Sequence, residues 1–371
     1  MTVAVSLENR MTDIRYWIAL SMLSDVGPII GKKLLAAFGT PDKIFHAAID
    51  DLLTIEGIGR NRAHSIREFS AWEKVEGHVK LFEQAGISVV SYDRASYPET
   101  LREVESAPLV LFMKGSCIPQ DRYAIAVVGS RNMTHYGAAV AEGIAGDLAS
   151  MGFTIVSGMA RGIDSLAHKA ALRAGGRTIA VLGSGVDVPY PPENKTLMER
   201  VAACGCILSE FPPGSPPDRE NFPKRNRIIS GLSLGVVIVE ATTDSGALIT
   251  ARHAVEQGRE VFAVPGNVSS AHSVGPNDLI RKGALLVRDA QDIVGELAPV
   301  LKGFLRSADK ARIDINGDEQ GICSLLSGEP KQIDEIARES GLSASKVLGI
   351  LLGLEMKGAV KQITGKRFYL A

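Results

Sequence analysis

The segment Asn221-Phe222-Pro223-Lys224-Arg225-Asn226-Arg227 sets three cations, two amides and an aromatic ahead of the apolar run Ile228-Ile229. The whole chain carries a formal charge of only -1, so this is a local concentration of positive charge. Such a cluster at a helix entry adds to the helix dipole and to free backbone N–H groups, which already attract phosphate. The chemistry it suggests is binding of a polyanion. The alternative reading is a solvated helix face.

Three further segments carry the same kind of chemistry. Gly129-Ser130-Arg131, with Tyr136-Gly137 following, joins a small residue, a hydroxyl and a guanidinium fork matched to phosphate. Ser157-Gly158-Met159-Ala160-Arg161-Gly162-Ile163-Asp164 is again glycine-rich, with His168 one turn further on. No Ser/Cys elbow or partner carboxylate accompanies His168, so it reads as a hydrogen-bonded structural residue. Gly183-Ser184-Gly185 begins like a dinucleotide fingerprint, but Val188 stands where the third glycine belongs, and Pro189, Pro191 and Pro192 delay the helix that would hold a pyrophosphate. Gly27 to Lys33 also departs from a phosphate-binding P-loop. It has three residues between its glycines and no Ser or Thr after Gly31-Lys32.

These segments follow apolar runs expected to be strands: Ala124 to Val128, Phe153 to Val156, Thr178 to Leu182, Cys206 to Ser209, Val236 to Val239 and Val261 to Val264. Continuous apolar strands are those covered on both faces. Helical patterns alternate with them over Ala138 to Ser150, Ser165 to Ala174, Leu197 to Ala203 and Ala247 to Gln257. The alternation predicts an α/β fold, a Rossmann-like, doubly wound and mostly parallel sheet, whose ligands bind at the carboxyl ends of the strands. Four domain-level segments are expected: a helical domain over 1–80, the sheet domain over 81–297, a polar linker over 298–318 and a terminal unit over 319–371.

The N-terminal segment repeats a glycine turn before a helix, at Val26 to Lys33 and Ile55 to Ala63. The second resembles a helix-hairpin-helix motif, whose turn offers backbone N–H groups to a phosphate. Through Lys80 ten basic residues balance ten acidic ones, so a structural cap and a weak backbone-binding module both remain open. The last segment has the winged-helix order of helix, turn, helix and hairpin. Its second helix offers only Ser343, Ser345, Lys346 and Lys357 to a groove, and the segment holds seven basic against six acidic residues. That balance favours an accessory or protein-contact role over base reading.

Lys plus Arg (41) against Asp plus Glu (42) excludes a uniformly basic DNA-coating protein. No apolar run approaches the roughly 20 residues of a membrane span, and the first residues carry Glu8, Arg10, Asp13 and Arg15. A cytoplasmic location is expected. The cysteines Cys117, Cys204, Cys206 and Cys323 contain no C-x-x-C pair, and Cys204-x-Cys206 has the wrong spacing for zinc. They are expected to be reduced, structural thiols, and no metal site is expected.

Taken together, these strand ends resemble the DNA processing protein A family (DprA, also called Smf). The resemblance extends to Glu240-Ala241, Ser245 to Thr250, Val264-Pro265-Gly266 and Leu279 to Ala284, and covers about 100 to 290 closely. It implies a non-enzymatic role without catalytic residues or cofactor. Members bind incoming single-stranded DNA during natural transformation, protect it, and help load RecA in place of single-strand-binding protein. It further implies that the Rossmann-like domain holds the strand and forms a homodimer. Arg131 and Lys195 are then the phosphate ligands, with Lys224, Arg225 and Arg227 widening a cationic floor beside Asn226. Gly129, Ser130, Ser157 and Gly158 would permit close backbone approach, and Phe222 is open between a base-stacking role and core. The alternative is a nucleotide-processing enzyme of the lysine-decarboxylase-like phosphoribohydrolase type. Those enzymes are expected to carry a Pro-Gly-Gly-x-Gly-Thr loop where this chain has Ala241 to Ala247.

Overall fold

The computed structural model describes residues 14–301, 317–327, 329–356, 360–363 and 367–370. Two compact units meet at the Ala298–Pro299 bond. Glu8, Arg10 and Asp13, residues 302–316 of the polar linker, and Lys357 lie outside the described residues.

The first unit is built on one nine-stranded sheet. Its strands are β1 Ser88–Ser91, β2 Val110–Gly115, β3 Ala124–Val128, β4 Thr154–Ser157, β5 Thr178–Val181, β6 Cys206–Ser209, β7 Gly235–Ile238, β8 Glu260–Ala263 and β9 Leu285–Leu286. The order across the sheet is β1-β2-β6-β5-β4-β3-β7-β8-β9. From β6 to β9 every pair is parallel, with Ala126 of β3 opposite Val156 of β4 on one side and Val236 of β7 on the other. Strands β3 to β8 are apolar and almost wholly buried because helices cover both faces. The expected doubly wound sheet is the observed one. Its antiparallel edge, β1 on β2 and β2 on β6, was not anticipated.

The chain runs outward from β3 through β4 and β5 to β6, then returns to the other side of β3 at β7. The order therefore reverses between β3 and β7, and a doubly wound sheet opens a crevice at that point. Helices His135–Ser150, Ile163–Arg173, Lys195–Cys204, Asn221–Gly231 and Gly246–Glu256 connect the strands.

The N-terminal helices belong to the same core. Trp17, Leu34, Phe45, Val75 and Phe82 are buried in one cluster with Leu109, Phe112, Leu182 and Ile207 of the sheet side. Full burial of one such side chain contributes about 1.5–3 kcal/mol. Gly31, inside helix Pro28–Phe38, is a contact residue here: a Cβ would meet Leu109 Cδ1 at 2.1 Å.

The second unit has helices Gly317–Ser324, Ile333–Ser340 and Ala344–Met356 with a small antiparallel sheet. Its strands β10 Lys331–Gln332, β11 Val360–Ile363 and β12 Arg367–Leu370 are ordered β10-β12-β11. This is a winged helix. Val347, Leu351 and Leu354 of helix Ala344–Met356, the second helix of the expected helix-turn-helix, are fully buried with Ile336 and Phe368, so much of that helix surface serves its own core.

Candidate nucleic-acid site

A cleft of about 700 Å³ opens at the carboxyl ends of β3 and β7, at the reversal of strand order. One wall is the turn after β3. Gly129 fits there because a Cβ would meet Ile163 Cγ1 at 2.8 Å and the Glu240 carbonyl oxygen at 3.0 Å. Ser130 is buried, and its Oγ accepts from the Asn132 N–H at 3.1 Å, which shapes the turn and turns Arg131 outward.

Arg131 is exposed at the cleft mouth, with its guanidinium carbon 5.6 Å from the centre of the Phe222 ring. No hydrogen bond or ion pair holds it among the described residues. Phe222 is half-buried and packs on Gly183, where a Cβ would come within 2.7 Å of the ring. Tyr190 lies beside it, ring centres 5.5 Å apart and planes inclined by 30°. The three side chains line both the broad cleft and the narrow pocket at its end.

Beneath this platform sits Arg225, only 4% exposed. It donates to the Gly158 carbonyl at 2.7 Å, to the Val181 carbonyl and, through Nε, to Asn226 Oδ1 at 3.2 Å. Burial brings its pKa down to about 10, opposed by the nearby Asp164 carboxylate, so it remains a cation at neutral pH. Burial in turn pushes Asp164 up, offset by Arg225 and by the N–H groups of Ala160 and Gly158. Gly158 is required by this pair: a Cβ would lie 2.6 Å from the Arg225 guanidinium and 2.7 Å from Asp164 Oδ2. At Gly129 and Gly158 the space a side chain would take is thus filled by the protein's own atoms, while Gly129 lines the cleft and Gly158 the narrow pocket. Ser157 is likewise turned inward, its Oγ donating to the Val127 carbonyl at 2.7 Å.

The remaining cations diverge. Arg227 pairs with the Glu210 carboxylate and donates to the Ser106 carbonyl, away from the cleft lining. Lys224 is exposed, 3.9 Å from Glu220. Lys195 is exposed at the start of its helix, next to buried Asn194, and it too is outside the cleft lining. Asn226 does line the cleft, with Nδ2 donating to the Gly246 carbonyl at 3.1 Å.

Two residues absent from the sequence-based site shape it. Tyr190 was visible only as the aromatic inside a proline run. Glu240, 3% exposed at the end of β7, accepts from Thr134 N at 2.9 Å and from Thr134 Oγ1 at 2.5 Å. Thr134 is the N-cap of helix His135–Ser150, so a carboxylate already occupies the helix end where a dinucleotide fold seats its pyrophosphate. His168, read as structural, is fully buried with Nδ1 2.7 Å from Thr178 Oγ1. Burial, and secondarily Arg225, lowers its pKa to about 3.

Residues 88–298 match the family described as DNA recombination-mediator protein A. Residues 306–366 match the DprA winged helix domain, and 18–70 a SAM-like helix-hairpin-helix tandem. Protein Smf of Synechocystis is 34% identical, over 95% of this chain and 98% of its own length. This chain belongs to the DprA/Smf family. The X-ray structure of DNA processing protein A from Streptococcus pneumoniae superposes with a TM-score of 0.66 at 36% identity, covering 76% of this chain and 97% of that one. The Helicobacter pylori protein, solved for its single-stranded DNA binding mode, gives 0.52 at 29% identity, covering 58% of this chain and 96% of that one. As a family member the chain is a DNA-processing protein with a Rossmann-like sheet and a winged helix. Among the described residues no helix is long and apolar enough to cross a membrane.

Proposed function

We propose that this chain binds single-stranded DNA as a cytoplasmic recombination mediator, protecting strands taken up in natural transformation and loading RecA onto them without catalysing a reaction. The observation that carries the reading is Arg131 over Phe222 at the mouth of a wide cleft. Single-strand binders without sequence preference combine a cation for the backbone with an aromatic face for a base, and this cluster offers both. In this reading Arg131 and Lys195 take phosphates, Phe222 stacks on a base, and Lys224 adds outer charge. Gly129, Ser130, Ser157, Gly158, Arg225 and Asn226 build the floor. Glu240 is committed to Thr134, which supports a binding role over an acid–base one. The domain division at 1–80, 81–297, 298–318 and 319–371 belongs to the same proposal, with strand binding in the second segment.

A homodimer of the sheet domain is part of this reading. Leu286 on the edge strand β9 is 48% exposed, and Leu279 and Ile280 are half-buried nearby in sequence, which supports an apolar contact at that edge. Filter binding of single- and double-stranded DNA at two salt concentrations tests the main claim. Tighter single-strand binding with little sequence preference is expected, and equal affinity for the two forms would remove the cleft as the site.

A further inference from the structure

Cys117 and Cys206 lie far apart in sequence, yet their Sγ atoms are 3.0 Å apart, closer than two non-bonded sulfurs usually come. Both are free thiols. The approach is built into the fold. Gly115, at φ +86°, faces Cys206 across the β2–β6 ladder, and a Cβ there would meet the Ala202 and Gly205 carbonyl oxygens at 2.4 Å. The Ser116 N–H donates to the Gly205 carbonyl at 3.0 Å. Arg177 ties the segments together by donating to the Ser116 carbonyl at 2.8 Å, the Cys204 carbonyl at 3.2 Å and the Asp121 carboxylate at 2.9 and 3.0 Å.

The two sulfurs differ in access. Cys206 is fully buried at the first position of β6. Cys117 is half-buried and lines a separate cavity of about 320 Å³ bordered by Ile118, Asp121 and Arg122. A small oxidant can therefore reach one thiol and not the other, and an accessible cysteine beside a buried partner is the usual arrangement of a reversibly oxidised pair. The Arg177 guanidinium is close enough to interact with both sulfurs. The contact with Cys117, then burial and Asp121, push the Cys206 thiol up, so it is not the thiol that reacts first.

We propose that Cys117 and Cys206 are a reversible oxidation site for small peroxides, with Cys117 the reacting thiol and Cys206 the resolving one. Cys117 Sγ attacks a peroxide oxygen, the O–O bond breaks, and the thiol proton leaves with the departing alcohol or water. The resulting Cys117 sulfenic acid is attacked by Cys206 Sγ. The S–O bond breaks, the S–S bond forms, and the Cys206 proton leaves with the hydroxyl as water. Two thiols lose two electrons and two protons to one peroxide.

The test is brief treatment of the folded full-length protein with hydrogen peroxide, alkylation after unfolding, and digestion without reductant. A peptide joining Cys117 to Cys206, lost on treatment with dithiothreitol, is expected before exposed Cys204 reacts. Cys206→Ser should leave Cys117 as a sulfenic acid that dimedone labels, and the thermal midpoint of the native protein should rise on oxidation. Recovery of both residues as alkylated thiols would overturn the proposal. A Cys117–Cys204 link, or Cys117 carried to sulfinic acid beside an intact Cys206 thiol, would overturn it equally. Peptide mapping of the unaltered chain decides the matter even if Cys206→Ser does not fold.

Discussion

Arg131 stands 5.6 Å above the ring of Phe222, and the ring in turn rests on Gly183. The cation is exposed and the ring half-buried, so the pair presents a charge and a flat apolar face to the same cleft. In the proposed function these two groups do separable work.

Arg131→Ala should weaken single-strand binding across sequences and flatten the log–log salt slope by about 0.7, the share of one neutralised phosphate. Phe222→Ala should cost about 1–3 kcal/mol, the value of one stacked base, and leave the slope unchanged. Affinity titrations at four salt concentrations separate the two. A slope that responds to Phe222 and not to Arg131 would reverse the assignment.

Arg227→Ala should act on stability instead. Its side chain is 12% exposed and held by Glu210 and the Ser106 carbonyl. Removing it leaves partly buried acceptors unpaired, a loss of about 1–3 kcal/mol. Urea denaturation should show the loss, while the salt slope of single-strand binding stays as in the parent protein.

The difference between Arg225 and Arg227 also shows what a sequence can and cannot disclose. Two positions along a helix are about 200° of rotation, because each residue turns roughly 100°. Lys224, Arg225 and Arg227 therefore cannot form one floor, although their adjacency in sequence invites that picture. Strands such as Ala124–Val128 were legible because burial on both faces leaves an uninterrupted apolar run. The edge strand β1, Ser-Val-Val-Ser, offered no such run. The glycines announced close approach at Gly129 and Gly158, but the occupants, Ile163 and the Arg225–Asp164 pair, come from other elements and only the folded chain identifies them.

His168 predicts an acid sensitivity. Its pKa is depressed to about 3 in the native state against the usual 6.5, so below pH 6.5 the unfolded chain binds a proton that the native chain does not. Stability is then fully present above pH 6.5 and falls as pH drops toward 3, by on the order of 2 kcal/mol at pH 5. Comparing denaturant midpoints at pH 7 and pH 5 with those of His168→Gln checks this. The variant should be less stable at pH 7 and should lose less on acidification, and an equal loss in both proteins would exclude His168 as a source.

A chain ending near Leu297 should keep single-strand binding and RecA loading. The first compact unit closes at Ala298, with Leu297 and Ile293 buried within it, so truncation there exposes little core. Arg131, Phe222 and Tyr190 all precede that point, and their contacts are made within the first unit. The winged-helix residues have one net positive charge, seven basic against six acidic from Glu319 to Ala371. Helix Ala344–Met356 spends Val347, Leu351 and Leu354 on its own core. One or two lost surface contacts correspond to under about 1 kcal/mol of affinity. Single-strand titration and a RecA filament assay on strands coated with single-strand-binding protein measure both activities in the truncated chain. Loss of most binding, or of all loading, would move the function out of the sheet domain and into the terminal unit.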